Sequence, residues 1–444
     1  MTGTTRDTAD ASRRVIVLGA GPMGLAAAYE AVKRGYQVDV LEAGDVPGGM
    51  AAHFDFDGLS IERFYHFCCL SDTHTLALLD ELGLGDAMQW VTTRMGFHLE
   101  GRLIDWGHPV ALLKAPGIDL LTKLRYGLLA FTSTRRSRWQ HLDAISAERW
   151  ITHWIGEKAY DRLWRPLMAL KFHEYADKVS AAWIWQRMKR LGNSRASLFE
   201  ERLGYIEGGS ETLINALVKA ITERGGRIHC GASATRFLIR DGAIEGVETA
   251  QGQTFHAAQL ISTIPTPYIP ALFDDAHSAL RAPYERIANI GVVCVVLKLK
   301  RSVSGNFWVN ISDPEIGVPG FVEFSNLRPL PGTVVYVPWY MPHTHENFAR
   351  EDSWFIAKSL EYLARVNPAI TRDDLIAAHA GRLKHAQPIC ETGFAELIPD
   401  PVTPVKGLQI ADTSFYYPED RGVSESIACA QRLVAALKPA GGAS

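Results

Sequence analysis

Val15 to Leu18 is an unbroken apolar run closed by glycine, the pattern of a strand buried on both faces of a parallel sheet. A helical pattern follows over Pro22 to Arg34, with Leu25, Ala28 and Val32 on one face, and then a second strand, "QVDVLEA", from Gln37 to Ala43. Similar patterning returns between Gly204 and Pro265. There Ser210 is placed to cap a helix whose apolar face is Leu213, Leu217, Ala220 and Ile221, and Gly225-Gly226 end it. Beyond it "RFLIR", "DG" and "AIEGVET" predict a hairpin with a type I′ turn at Asp241-Gly242, and a third strand leads into "LISTIP". Near the other end, "GLQIAD" reads as a short strand ending at Asp412. A loop and a helix with Ile427, Ala430, Val434 and Leu437 on one face come after it.

The turn after the first strand carries Gly19-x-Gly21-x-x-Gly24, with Pro22 and Met23 opening the helix. The first glycine permits the tight turn, the second lets backbone approach a pyrophosphate, and the third lets helix pack close to strand. The helix N-terminus directs its N–H groups at the phosphates. Glu42, at the end of the second strand, is placed to accept both hydroxyls of an adenosine ribose and to repel a 2′-phosphate, which disfavours NADP. Gly48-Gly49, after Ala43, is not part of a plain NAD fingerprint; paired glycines let backbone come close to a further part of the same ligand.

Together these segments resemble the flavoprotein superfamily of amine oxidases, protoporphyrinogen oxidases, carotenoid desaturases and UDP-galactopyranose mutases. The resemblance implies FAD, with Gly48-Gly49 along the diphosphate. Where the family often has arginine next, this chain has Met50. It also implies that Ala234 lies near the adenine, that Asp412 holds the ribityl or pyrophosphate part, and that Gly422, Val423 and Ser424 present a helix N-terminus to the flavin, stabilising its anionic reduced form.

The expected fold is α/β: a Rossmann-type FAD-binding domain, parallel sheet plus β-meander, discontinuous over 13–60, 203–265 and 395–444. Two insertions, 61–202 and 266–394, form an α+β substrate domain. The first is Trp- and Leu-rich with helical spacing; the second mixes strands "GVVCVVLKLK" and "GTVVYVPWY" with helix "SWFIAKSLEYLARV".

Composition narrows the class further. With 46 basic against 49 acidic side chains the net charge is −3, which argues against nucleic acid as a partner. The six cysteines form no CxxC pair or zinc-type cluster, so neither disulfide framework nor metal is expected, and covalent flavin attachment at Cys68 or Cys69 is not expected either. The polar leader, residues 1–12, has no apolar secretory core, and a cytoplasmic location is expected. Val110 to Phe131 is interrupted by Lys114, Pro116, Gly117, Asp119, Lys123 and Arg125; it reads as an amphipathic helix packed on the core, with peripheral membrane contact as the alternative.

A flavin performs the redox chemistry itself, so the protein needs to place a substrate bond against N5 and exclude water. Candidate catalytic residues are Tyr65 and His66 in "ERFYHFCC", Lys171 with His173 in "LKFHEY", and the aromatic side chains Trp339, Tyr340, Tyr416 and Tyr417. Each has a plain structural reading as well: a hydrogen-bonded histidine, a solvated lysine, core aromatics. The expected activity is an FAD-dependent oxidoreductase, oxidase or desaturase, taking hydride from an apolar or amphipathic small molecule, with oxygen or a quinone as electron acceptor. The alternative is a flavin-dependent sugar-nucleotide mutase without net redox.

Overall fold

Five short strands from three distant parts of the chain pair into one parallel sheet. The structure, a computed structural model, describes residues 13–197 and 200–437. The strands are β1 (Arg14–Leu18), β2 (Gln37–Leu41), β3 (Arg227–His229), β4 (Gln259–Ser262) and β5 (Leu408–Ile410), in the spatial order β3-β2-β1-β4-β5. β1 runs parallel to both β2 and β4, with Val17 beside Val40 and Ile261. Its alternation divides the core. Val15 and Val17 pack with α1 (Pro22–Lys33), α2 (Ser210–Glu223) and α3 (Val423–Ala435), whereas Ile16 and Leu18 face Phe237, Ile244 and Val247 of a three-stranded meander. The meander begins Ala234–Arg240 and Ala243–Thr249, and Asp241 and Gly242 both have positive φ, as a type I′ turn requires. The polar leader, residues 1–12, and the last residues of 395–444 fall outside the described residues.

The second body is a seven-stranded sheet flanked by helices. Leu375–Pro388, Asn289–Leu299, Thr333–Met341, Gly320–Glu323 and Trp308–Ile311 come from the second insertion, and the hairpin Met95–Leu99 and Arg102–Trp106 comes from the first. The first insertion, expected to be helical, therefore also contributes strands, including Met88–Thr93, which pairs with Glu201–Ile206. These runs are only five or six residues long, too short to separate strand from helix by period. They join the two insertions into one sheet through Trp308–Ile311 against Met95–Leu99.

Two further expectations are corrected. Gly209 occupies the cap position of α2, and Ser210 is its first helical residue. The Ser210 hydroxyl donates to the Ala51 carbonyl at 2.9 Å, and its amide donates to Glu62 at 3.1 Å, so the serine ties α2 to the cofactor loop instead of capping the helix. The helix Leu120–Arg135 does not pack its apolar face on the core: of its residues only Leu129 and Ser133 are buried.

Candidate cofactor and substrate site

The three fingerprint glycines are held for different reasons. A Cβ at Gly24 would stand 1.8 Å from the Gly19 carbonyl oxygen, so contact between turn and helix demands glycine there. Gly19 has φ +92°, and a Cβ would crowd Thr263 Oγ1 at 2.9 Å. Gly21 differs: its backbone is extended, and a Cβ would meet only the Gly49 Cα, at 4.0 Å. Neither conformation nor protein packing requires glycine at this position. A group from outside the chain, approaching backbone as a pyrophosphate does, is the remaining physical reason for it.

Gly48 and Gly49 have positive φ, and the Gly48 amide donates to the Ala20 carbonyl at 2.8 Å, folding the pair back onto the fingerprint turn. Met50 is the middle residue of the single helical turn Gly49–Ala51, and Pro22 and Met23 open α1. Glu42 accepts from the amides of Ala20 at 2.7 Å and Gly44 at 2.8 Å, so it orders the loop on both sides of Ala43. The carbonyl of Glu42 accepts from Ala232 N–H, and that of Gly44 from Gly231 N–H, bringing the start of the meander, up to Ala234, alongside.

Asp412 is buried at the end of β5. One carboxylate oxygen accepts from the Thr266 amide at 2.7 Å and the other from Ser414 N–H at 2.9 Å. It thereby clamps the exits of β4 and β5 together. The first α-helical bond of α3 runs from Ser426 N–H to the Gly422 carbonyl at 3.1 Å, so the amides of Val423 and Ser424 precede the helical ladder. Tyr416 is core: its hydroxyl meets Ser426 Oγ at 2.8 Å. Tyr417 is pinned by Ser180 Oγ at 2.6 Å and by Asp143.

Beside this framework the half-buried side chains of Tyr65, His66, Lys171 and Asp420 gather around Arg421, whose charge acts on all four. Lys171 sits over the rings of Trp183 at 4.9 Å and Tyr340 at 5.1 Å. Burial, reinforced by Arg187, holds its amine well below the usual lysine range. Tyr65 packs edge-on against Trp308 and Tyr336, and burial pushes its phenol well up. Burial lowers His66, whose Nδ1 finds no partner among the described residues. The nearby His173 Nε2 is 2.7 Å from the Tyr340 carbonyl.

Several members of this site had not been singled out. Arg187 pairs with Asp420, Arg190 makes two hydrogen bonds to Asp72 at 2.8 and 3.2 Å, and Arg421 donates to Tyr340 Oη at 3.2 Å. Burial pushes Asp420 up, but Arg187, Lys171 and Arg421 together hold it below its ordinary range. The only signal for them was local: Asp420-Arg421 immediately precede the Gly422 helix start, and Arg187 and Arg190 are one turn apart. Trp339 lies elsewhere. It is buried against Trp354, Phe355 and Tyr362, its indole N–H donating to Ser359 Oγ at 3.0 Å. Strand alternation puts neighbouring Tyr340, and not Trp339, on the face toward Lys171.

A family model described as flavin containing amine oxidoreductase matches residues 24–375. A 15-cis-phytoene desaturase from Synechococcus elongatus is 27% identical over 297 residues, covering 61% of each chain. A putrescine oxidase from Kocuria rosea is 46% identical over 160 residues, which cover 33% of this chain and 32% of that one. The chain spans less than two thirds of the length of these curated relatives. In fold, the chain resembles a reduced UDP-galactopyranose mutase, with a TM-score of 0.73 at 15% identity over 95% of this chain and 93% of that one. The family match takes in most of the chain, and the fingerprint loop has the open approach at Gly21 that a dinucleotide needs; the protein belongs to the flavin containing amine oxidoreductases, an FAD-dependent oxidoreductase family.

Proposed function

We propose that the protein oxidises an apolar or amphipathic small molecule, with hydride leaving a substrate carbon for flavin N5. FAD would be held by Gly19, Gly21, Gly24 and Glu42 at its adenosine and pyrophosphate end, by the Gly48-Gly49 turn, and by Asp412 and the start of α3 further along. When bound, FAD supplies the two-electron acceptor, and oxygen or a quinone would return it to the oxidised state. Lys171, whose amine burial and Arg187 hold well below the usual lysine range, is suited to take the proton that the substrate loses with its hydride. Tyr65, Tyr340 and Trp183 supply apolar walls that exclude water.

The observation that carries this reading is charge pairing. A sugar-nucleotide mutase must hold two phosphates on available cations, but here Arg187 faces Asp420 and Arg190 faces Asp72. Among the described residues this leaves Arg421, bonded to Tyr340 Oη and the Ala386 carbonyl, as the arginine of the site without a carboxylate partner, and one such cation suits a substrate of low charge better than a diphosphate. The test is to mix the yellow holoprotein with apolar amines and polyenes under anaerobic conditions. Bleaching near about 450 nm without prior dithionite, reversed by oxygen or a quinone, is the expected result. Isomerisation of a sugar nucleotide only after pre-reduction, with no bleaching by any apolar compound, would overturn the proposal.

A further inference from the structure

Among the described residues eleven large hydrophobic side chains are exposed, and seven of them fall between Val110 and Phe131. Such crowding is not the scatter normal on a protein surface. Leu113 closes one short helix, Pro109–Lys114, and Leu120, Leu121, Leu124, Leu128 and Phe131 run along the next, Leu120–Arg135; these six are between 51% and 65% exposed. Their spacing puts them on one stripe of the helix, while Leu129 and Ser133 on the other side are buried against the body of the protein. Lys123 Nζ donates to the Leu113 carbonyl at 2.7 Å and ties the two helices into one surface.

Charge identifies what covers it. Between Gly107 and His141 the chain has Lys114, Lys123, Arg125, Arg135, Arg136 and Arg138 against a single acid, Asp119. Among the described residues none of the six is ion-paired with a carboxylate: Arg125 donates to the His153 carbonyl, Arg135 lies over the Phe131 ring at 4.6 Å, and Arg136 meets His141 at 2.8 Å. Phe131, Arg135, Arg136, Arg138 and His141 line an open cleft at the end of the stripe. Two copies of so cationic a surface repel each other, whereas anionic lipid attracts it. Among the described residues no helix is long and apolar enough to cross a membrane, so the stripe lies along an interface.

We infer that the helix pair 109–135 docks the protein on an anionic lipid bilayer, its leucines and Phe131 entering the acyl boundary and its lysines and arginines meeting the headgroups. The exposed stripe contains none of the residues around Lys171, and the inference does not depend on what that site oxidises.

The experiment is sedimentation of the holoprotein with vesicles of equal parts phosphatidylglycerol and phosphatidylcholine, and with phosphatidylcholine alone. The holoprotein is expected to sediment with the mixed vesicles and much less with the neutral ones. Substituting Leu120→Ser, Leu121→Ser and Leu124→Ser together should lower partitioning at least about tenfold. Arg135→Glu, Arg136→Glu and Arg138→Glu together should weaken binding to the mixed vesicles by about fivefold or more per arginine and leave the neutral ones nearly unaffected. Flavin absorbance and melting temperature serve as controls, and because the altered side chains are exposed, or in Arg136 half-buried, both should match the parent protein. No sedimentation with either vesicle, or equal sedimentation of the parent and the leucine variant, would overturn the inference. So would a dimer in solution that the leucine variant abolishes while vesicles bind neither form.

Discussion

The backbones of Gly21 and Gly49 face each other across the fingerprint turn: a Cβ on Gly49 would stand 3.1 Å from the Gly21 Cα, yet a Cβ on Gly21 would meet no other protein atom within 4 Å. Room is left beside Gly21 that the chain itself does not fill. Gly21→Val should therefore fold, with a melting curve close to that of the parent apoprotein, and fail to retain FAD. Gly24→Ala should instead lose stability by about 3 kcal/mol or more, because its methyl would enter the Gly19 carbonyl. Flavin absorbance after gel filtration and thermal melts of both variants check the contrast; full FAD occupancy in Gly21→Val would show that the turn is purely structural.

Glu42→Ala is expected to weaken FAD binding by about 1 to 3 kcal/mol, the range for losing hydrogen bonds to a charged group. Part of that loss is indirect, since the carboxylate also holds the Ala20 and Gly44 amides. Glu42→Gln, which keeps one carbonyl acceptor, should lose less. Titration of the apoproteins with FAD measures both, and unchanged affinity in the alanine variant would place the ribose elsewhere.

Lys171→Met keeps the length and apolar stem of the side chain and removes its amine. Flavin reduction by substrate under anaerobic conditions should slow by about 100-fold or more, the lower range for a lost acid–base group, with FAD content unchanged. Because burial lowers the lysine, the parent rate should rise with pH through a transition well below the usual lysine range, and the variant should lack that limb. A variant with the parent rate and pH profile would make Lys171 a packing residue.

Glu201 gives a pH dependence of stability with a definite sign. Burial raises its carboxyl to about 7, against a nearby Arg195 and a 3.3 Å hydrogen bond from Thr93 that both lower it. Between the ordinary carboxyl range and about 7 the folded protein holds a proton that the unfolded chain releases. Stability is therefore fully present below that window and falls as pH rises through it. Glu201→Gln mimics the protonated form, so it should flatten this decline and be more stable than the parent at pH of about 8, by up to about 3 kcal/mol. Denaturant melts at acid and mildly alkaline pH check it, and an identical decline in the variant would assign the effect to another group.

The parts of this protein that follow from local chemistry were legible along the chain. β1, the glycine turn, α1 and Glu42 occupy one continuous stretch, and their period, spacing and terminal acid each have a single simple physical reading. The type I′ turn at Asp241-Gly242 is likewise set by two residues that tolerate positive φ. Trp339 and Tyr340 mark the limit. They are adjacent aromatics in an almost wholly buried strand, so composition could not tell which faces the core and which the site; pairing of Thr333–Met341 into its sheet decided that.

What the sequence determined by itself was the class of cofactor and the parallel sheet that serves it, because those depend on short-range geometry written in glycines and alternating apolar residues. Tertiary structure alone decided three other things: that Lys171, Asp420 and Arg421 come within reach of one another, that the hairpin Met95–Trp106 extends a sheet begun about two hundred residues later, and that Leu120, Leu121, Leu124 and Leu128 face outward while Leu129 is buried. Each depends on which distant surface a segment meets. Helical periodicity records that a helix has an apolar face, and only the packing of the whole chain determines whether that face is covered by protein or left for lipid.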